Sequence, residues 1–179
     1  MKNIYKNWNS DIYSDYLKKF GLEAVSEMNR LGMLVDVSHL SEGGFYDVAR
    51  HSRKPFVASH SCARALCNHR RNLTDEQLKA LANKGGIVGV NYENSFLRKG
   101  SEQTDVSDIV WHMKHMANVG GVDMVALGSD FDGIGDNLNF RDYAGLPQLV
   151  DAIEKEFGAA ACDKICHGNA LRLFKDVIG

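Results

Sequence analysis

The chain has 179 residues, 44% of them hydrophobic and 25% charged, which suits one folded domain and argues against a disordered chain, a collagen-like repeat or a coiled coil. Lysine and arginine number 21 against 23 aspartates and glutamates, a net charge of −2 that lacks the basic excess a nucleic-acid binder needs. No run approaches the roughly 20 apolar residues of a membrane span, and neither a cationic leader nor a lipid-anchor tail is seen, so a cytoplasmic protein is expected.

Residues 1–20 are polar and aromatic without a clear period and read as an irregular lead-in; residues 21–179 read as one domain. Leu22, Val25, Met28 and Leu31 repeat at helical spacing, with Gly32 a terminator. Residues 34–38 then form a short β-branched run, the first expected strand. Ser41 is placed to cap a helix reaching about His51, and 56–59 is the second strand. Thr74 caps a helix to about Asn83, closed by Gly85 and Gly86, and 87–91 is the third strand. A helical period over 106–116 leads to the fourth strand at 124–128, and helices follow at 146–157 and 160–177. Four apolar strands separated by helix-length segments give an α/β fold with a parallel sheet. An open doubly wound sheet and part of a (β/α)₈ barrel, which takes about 250 residues, both fit this pattern.

The four cysteines form two local pairs, Cys62 with Cys67 and Cys162 with Cys166. The second pair lies beside His167, but it lacks the four-ligand spacing of a zinc clip and reads as buried core. Reduced thiols accord with a cytoplasmic setting.

Chemistry gathers where the strands stop. The first strand runs into His39, the second into His60, the third ends at Asn91 and the fourth opens into Gly128-Ser129-Asp130. In parallel α/β proteins these C-terminal ends share one rim, where sites are built. Two imidazoles can hold a zinc ion, and an acid beside a metal-bound water can take its proton. His112 and His115 read as a solvated helix face, while Arg70 and Arg71 follow His69 in a polar loop where one arginine could clamp a carboxylate. Neither a phosphate-cradling glycine loop nor a serine elbow is present.

The stretches Glu27 to His39 (EMNRLGMLVDVSH), Ala58 to Ser61 (ASHS), Cys67 to Leu73 (CNHRRNL), Leu127 to Gly133 (LGSDFDG) and Asn169 to Arg172 (NALR) together resemble the membrane (renal) dipeptidase family of zinc peptidases, and its bacterial cytosolic members more than its lipid-anchored ones. The resemblance implies a (β/α)₈ barrel with two zinc ions at its C-terminal rim, hydrolysing dipeptides. It implies His39 and His60 as ligands of one zinc, Asp130 as the acid that handles the proton of the bridging water, and Arg71 as the clamp on the substrate's terminal carboxylate. The tyrosine that assists this arginine in the family would fall near Phe96, which has no hydroxyl. The chain contains no His-x-Asp, and the family's metal-bridging glutamate and carbonyl-polarising histidine have no counterpart. It therefore looks like the C-terminal half of a family member, about four βα units. Two functional expectations follow: a zinc dipeptidase incomplete in this chain, which self-associates or needs a complementing N-terminal half, or a non-catalytic remnant or assembly module dependent on a partner.

Overall fold

The computed structural model describes residues 16–101, 103–135 and 142–179. Most of the expected lead-in, residues 1–15, lies outside them; its end does not, because Lys19 and Phe20 already belong to the first helix, α1 (Lys19–Arg30). Val57–Ser61 (β1), Ile87–Val90 (β2) and Val125–Leu127 (β3) form a parallel sheet in the order β1-β2-β3 that does not close on itself. The expected four strands are thus three and a bridge. Residues 34–38 lie beside β1 through one pairing, Asp36 with Val57, where Val37 N donates to Val57 O at 2.8 Å and Val57 N to Val35 O at 2.9 Å. The ladder stops there for a local reason. The Asp36 carboxylate takes the Ser38 amide at 3.0 Å, and the chain turns back as Leu40 N donates to Val37 O at 3.0 Å.

Helices carry the chain between strands, as parallel pairing requires. Ser41 Oγ accepts from Gly44 N at 3.1 Å and starts α2 (Glu42–His51). Thr74 starts α3 (Asp75–Asn83) with a reciprocal box, Thr74 Oγ1 accepting from Gln77 N at 3.2 Å and Gln77 Oε1 from Thr74 N at 2.9 Å. A single turn, α4 (Asn94–Leu97), precedes α5 (Val106–Gly120), which Asp105 caps by accepting from Ser107 N at 2.7 Å. After β3 come α6 (Leu146–Phe157), α7 (Ala159–Asp163) and α8 (Asn169–Ile178). The last two replace the single expected helix, because a π-helical turn over Lys164–Gly168 separates them. Among the described residues no helix is long and apolar enough to cross a membrane.

Side chains alternate across the strands and divide the core in two. Val35, Val37, Ala58, Val88, Val90 and Val125 join Phe45 of α2, Leu78 and Leu81 of α3, Met113 of α5 and Ile153 of α6. Leu34, Val57, Ile87 and Ala126 face the other way and are covered by Ala170, Leu173 and Val177 of α8. Asn169 Nδ2 pins that helix by donating to Val122 O at 2.9 Å and Val125 O at 2.8 Å.

His112 corrects a sequence reading: it is fully buried. Its Nδ1 accepts from Ala63 N at 3.0 Å and its Nε2 donates to Leu97 O at 2.9 Å, so the ring is a neutral strut between the loop after β1 and α4. His115 does sit nearer the surface, with Nε2 2.8 Å from Asp75 of α3. Burial holds the His112 imidazole below its ordinary value of 6.5. The folded chain therefore resists a proton that the unfolded chain accepts. The His112 contribution to stability is complete above about pH 6.5 and is lost as pH falls toward the lowered folded value. Urea unfolding from about pH 7.5 down to about pH 5 should show stability declining, and His112→Gln should flatten that decline. An unchanged slope in the variant would remove His112 from this role.

Candidate functional site at the strand ends

The register of β1 slips between Ala58 and Ser61, a bulge that re-aims the residues at the end of the strand. His60 leaves it toward His39, and the two rings meet with Nε2 2.8 Å from Nε2 and centroids 4.9 Å apart. Gly89 and Gly128 make the bulge possible. A Cβ at either position would overlap the Ser59 carbonyl oxygen that the bulge swings across β2 and β3. Arg71 closes on the pair: its Nε donates to Ser38 O at 3.1 Å and its Nη2 to His39 Nε2 at 3.2 Å. A guanidinium cannot accept, so His39 Nε2 carries a lone pair. Burial, then the positive charge of Arg71, then His60, hold the His39 imidazole below its usual range.

Beneath the histidines lies a residue that sequence reasoning treated only as part of a strand. Asp36 Oδ1 accepts from Ser38 N at 3.0 Å, Ser38 Oγ at 2.8 Å and Ser59 N at 3.1 Å, and Oδ2 accepts from Ser59 Oγ. Ser38 Oγ in turn accepts from His60 N at 3.0 Å. Crowding around the Asp36 carboxyl favours its neutral form, yet the hydrogen bonds from Ser59 and Ser38 outweigh this and hold it below the usual carboxylate range.

Arg71 rests on an aromatic shelf. Its guanidinium lies 5.5 Å from the centre of the Phe96 ring, and His69 stacks on Phe96 at 4.4 Å while its Nδ1 accepts from Arg71 N at 3.2 Å. Asn72, fully buried, joins the two loops by donating to Cys67 O at 2.9 Å and Phe96 O at 2.8 Å. Phe96 has no hydroxyl to offer Arg71, and its ring face lies against the guanidinium instead.

Asp130 stands at the end of β3 with φ of 60°, a left-handed conformation that an aspartate tolerates better than most residues. Its Oδ2 accepts from Asn91 Nδ2 at 3.1 Å, and Gly133 leaves room for its carboxylate, which a Cβ there would strike. Its charge reaches His39, favouring the protonated ring, but Asp130 does not join the histidines in a common ligand set. Among the described residues no group of three or more His, Cys, Asp or Glu side chains converges on one point. The rim therefore offers a cation two imidazole nitrogens, the right chemistry for zinc but half of a four-coordinate shell. Cys162 and Cys166 lie Sγ to Sγ at 3.7 Å; Cys162 packs in the core, and burial pushes the Cys166 thiol up to about 12.

Residues 5–178 match the family model described as membrane dipeptidase, peptidase family M19. Over 161 residues the chain is 44% identical to a Klebsiella pneumoniae protein described as an uncharacterized protein in the pqqA 5′ region, covering 88% of this chain and 59% of that one. Over 163 residues it is 37% identical to a Schizosaccharomyces pombe protein described as an uncharacterized dipeptidase, covering 89% of this chain and 39% of that one. The fold superposes with a TM-score of 0.86 and 38% identity on a metallo peptidase from Rhodobacter sphaeroides, solved with a phosphinate mimic of the dipeptide L-Ala-D-Ala, over 91% of this chain and 48% of that one. The chain thus spans between 39% and 59% of the lengths of these three relatives.

Proposed function

The chain belongs to the membrane dipeptidase family, and on that premise we propose that it supplies one part of a zinc-dependent dipeptidase site. The observation that carries this reading is the meeting of His39 and His60, Nε2 to Nε2 at 2.8 Å, beside the Arg71 guanidinium. His39 and His60 would hold the ion, and a zinc ion held there supplies a water acidic enough to act as nucleophile near neutral pH. Asp130, whose Oδ2 accepts from Asn91, would serve as the acid–base group that holds a proton on its carboxylate and passes it to the leaving amine. Arg71, set over the Phe96 ring, would bind the terminal carboxylate of a dipeptide through its fork of donors. The dipeptide mimic in the Rhodobacter sphaeroides structure supports a dipeptide as substrate. Four free cysteines support a cytoplasmic setting.

One observation favours a second reading, a non-catalytic or partner-dependent member of the family. Among the described residues no third ligand stands beside the two histidines, and the sequence holds no His-x-Asp.

Zinc titrated into the 179-residue chain should reveal a weak site, abolished in His39→Ala and in His60→Ala. Equal binding by all three proteins would take these histidines out of the site. The chain with zinc alone should hydrolyse dipeptides little or not at all. Adding a fragment that carries the His-x-Asp strand and the bridging glutamate should restore turnover, and Asp130→Asn should then lower kcat by about 10²–10⁴-fold. Robust turnover by the chain alone would refute the part-site reading, and none with the fragment would favour the second one.

A further inference from the structure

Which nitrogen of His60 carries its proton follows from counting donors. Ser38 has one hydroxyl proton, and Ser38 Oγ lies 2.8 Å from Asp36 Oδ1. Ser59 also has one, and its Oγ makes its shortest contact with Asp36 Oδ2. The carboxylate accepts from both, and the backbone amides of Ser38 and Ser59 add two further donors to Oδ1 at 3.0 and 3.1 Å. With both hydroxyl protons committed, Ser59 Oγ can only accept in its remaining contact with a ring nitrogen, His60 Nδ1 at 2.8 Å. Nδ1 therefore bears the hydrogen and Nε2 the lone pair. That lone pair faces His39 Nε2, whose own lone pair is identified by the Arg71 donor. Two lone pairs brought 2.8 Å apart make this edge of the rim a place that a cation would favour.

We infer that Asp36 is a positioning residue for His60, acting through the Ser59 hydroxyl to fix the Nδ1–H tautomer and turn the Nε2 lone pair to the rim. The inference rests on the metal-site reading for its purpose but not for its geometry. Ligating histidines in general are oriented by a partner on the other ring nitrogen, and losing that partner costs about 10–100-fold in metal affinity. Here the partner is a serine, and the charge stands one hydroxyl further back. Ser38 completes the arrangement by accepting from the His60 amide at 3.0 Å, so backbone and ring of His60 are held from the same carboxylate. The bulge of β1 makes the reach possible, since it carries Ser59 N and Ser59 Oγ to the two oxygens of one side chain.

The test is a multiple-bond ¹H–¹⁵N spectrum of the histidine-labelled 179-residue chain, recorded without metal and with zinc. In both states His60 should show a protonated Nδ1. Asp36→Asn and Ser59→Ala should give a mixture of tautomers in the metal-free chain and lower zinc affinity by about 10–100-fold, while Ser59→Thr, which keeps the hydroxyl, should restore both. The His112 ring, fixed by Ala63 and Leu97, reports in the same spectrum that the fold stands. If a variant disturbs His112 as well, the wild-type tautomer and the threonine variant decide. An unprotonated Nδ1 on His60 in the wild-type chain, or variants that change neither tautomer nor affinity, would overturn the inference. A wild-type chain with the Nδ1 proton in place but no zinc binding would instead defeat the metal reading and leave the positioning role standing.

Discussion

The Asp36 carboxylate ties together two strand ends that share only one backbone bridge. Val57 accepts from Val37 N and donates to Val35 O in the last ladder hydrogen bonds between these segments, and beyond them the pairing passes to a side chain. Ser38 and Ser59 lie 21 residues apart, yet both donate through amide and hydroxyl to the same carboxylate. Hydrogen bonds to an ionised acceptor are the stronger kind, so this knot substitutes for the lost ladder where the backbone must diverge to present His39 and His60. The positions of both histidines depend on it, and through His39 so does the resting place of Arg71.

Around this knot the rim is built by subtraction as much as by addition. Gly89 and Gly128 carry no side chain because the Ser59 carbonyl occupies that space, and Gly133 carries none because Asp130 does. Phe96 offers a flat face where the family resemblance leads one to expect a hydroxyl, and the arginine is supported by packing in its place. The relatives that the chain matches are longer, and its three-stranded sheet does not close.

Much of this was legible in the sequence where the cause is local. Thr74 and Ser41 were placed as caps because a cap is decided within three residues, and both helices begin there. His39 and His60 could be brought together because each follows a strand whose end lies at the same rim. Asp36 could not be read this way. In sequence it is one polar residue inside an apolar run, and its partners are fixed by a bulge that leaves no compositional mark. His112 was misread for the opposite reason: Ile109, His112, Met113 and Met116 form an inward stripe at helical spacing, and the residue type argued against the period. The π-helical turn over Lys164–Gly168, which precedes α8, had no signal in the pattern of apolar residues.

The packing of α8 also has a bearing on time. Leu34 and Val57 are covered by Leu173 and Val177, and Lys54 Nζ donates to Asp176 O across 122 residues of chain at 3.1 Å. During synthesis the strand that delivers His60 is made long before the helix that shelters its lower half. At roughly 5–20 residues per second the ribosome leaves that face wet for several seconds or more. Contacts of such long sequence separation are also slow to form once the chain is free. The rim histidines therefore acquire a settled foundation only after translation of the last helix, and a nascent chain must wait with an apolar face open to chaperones and to other chains.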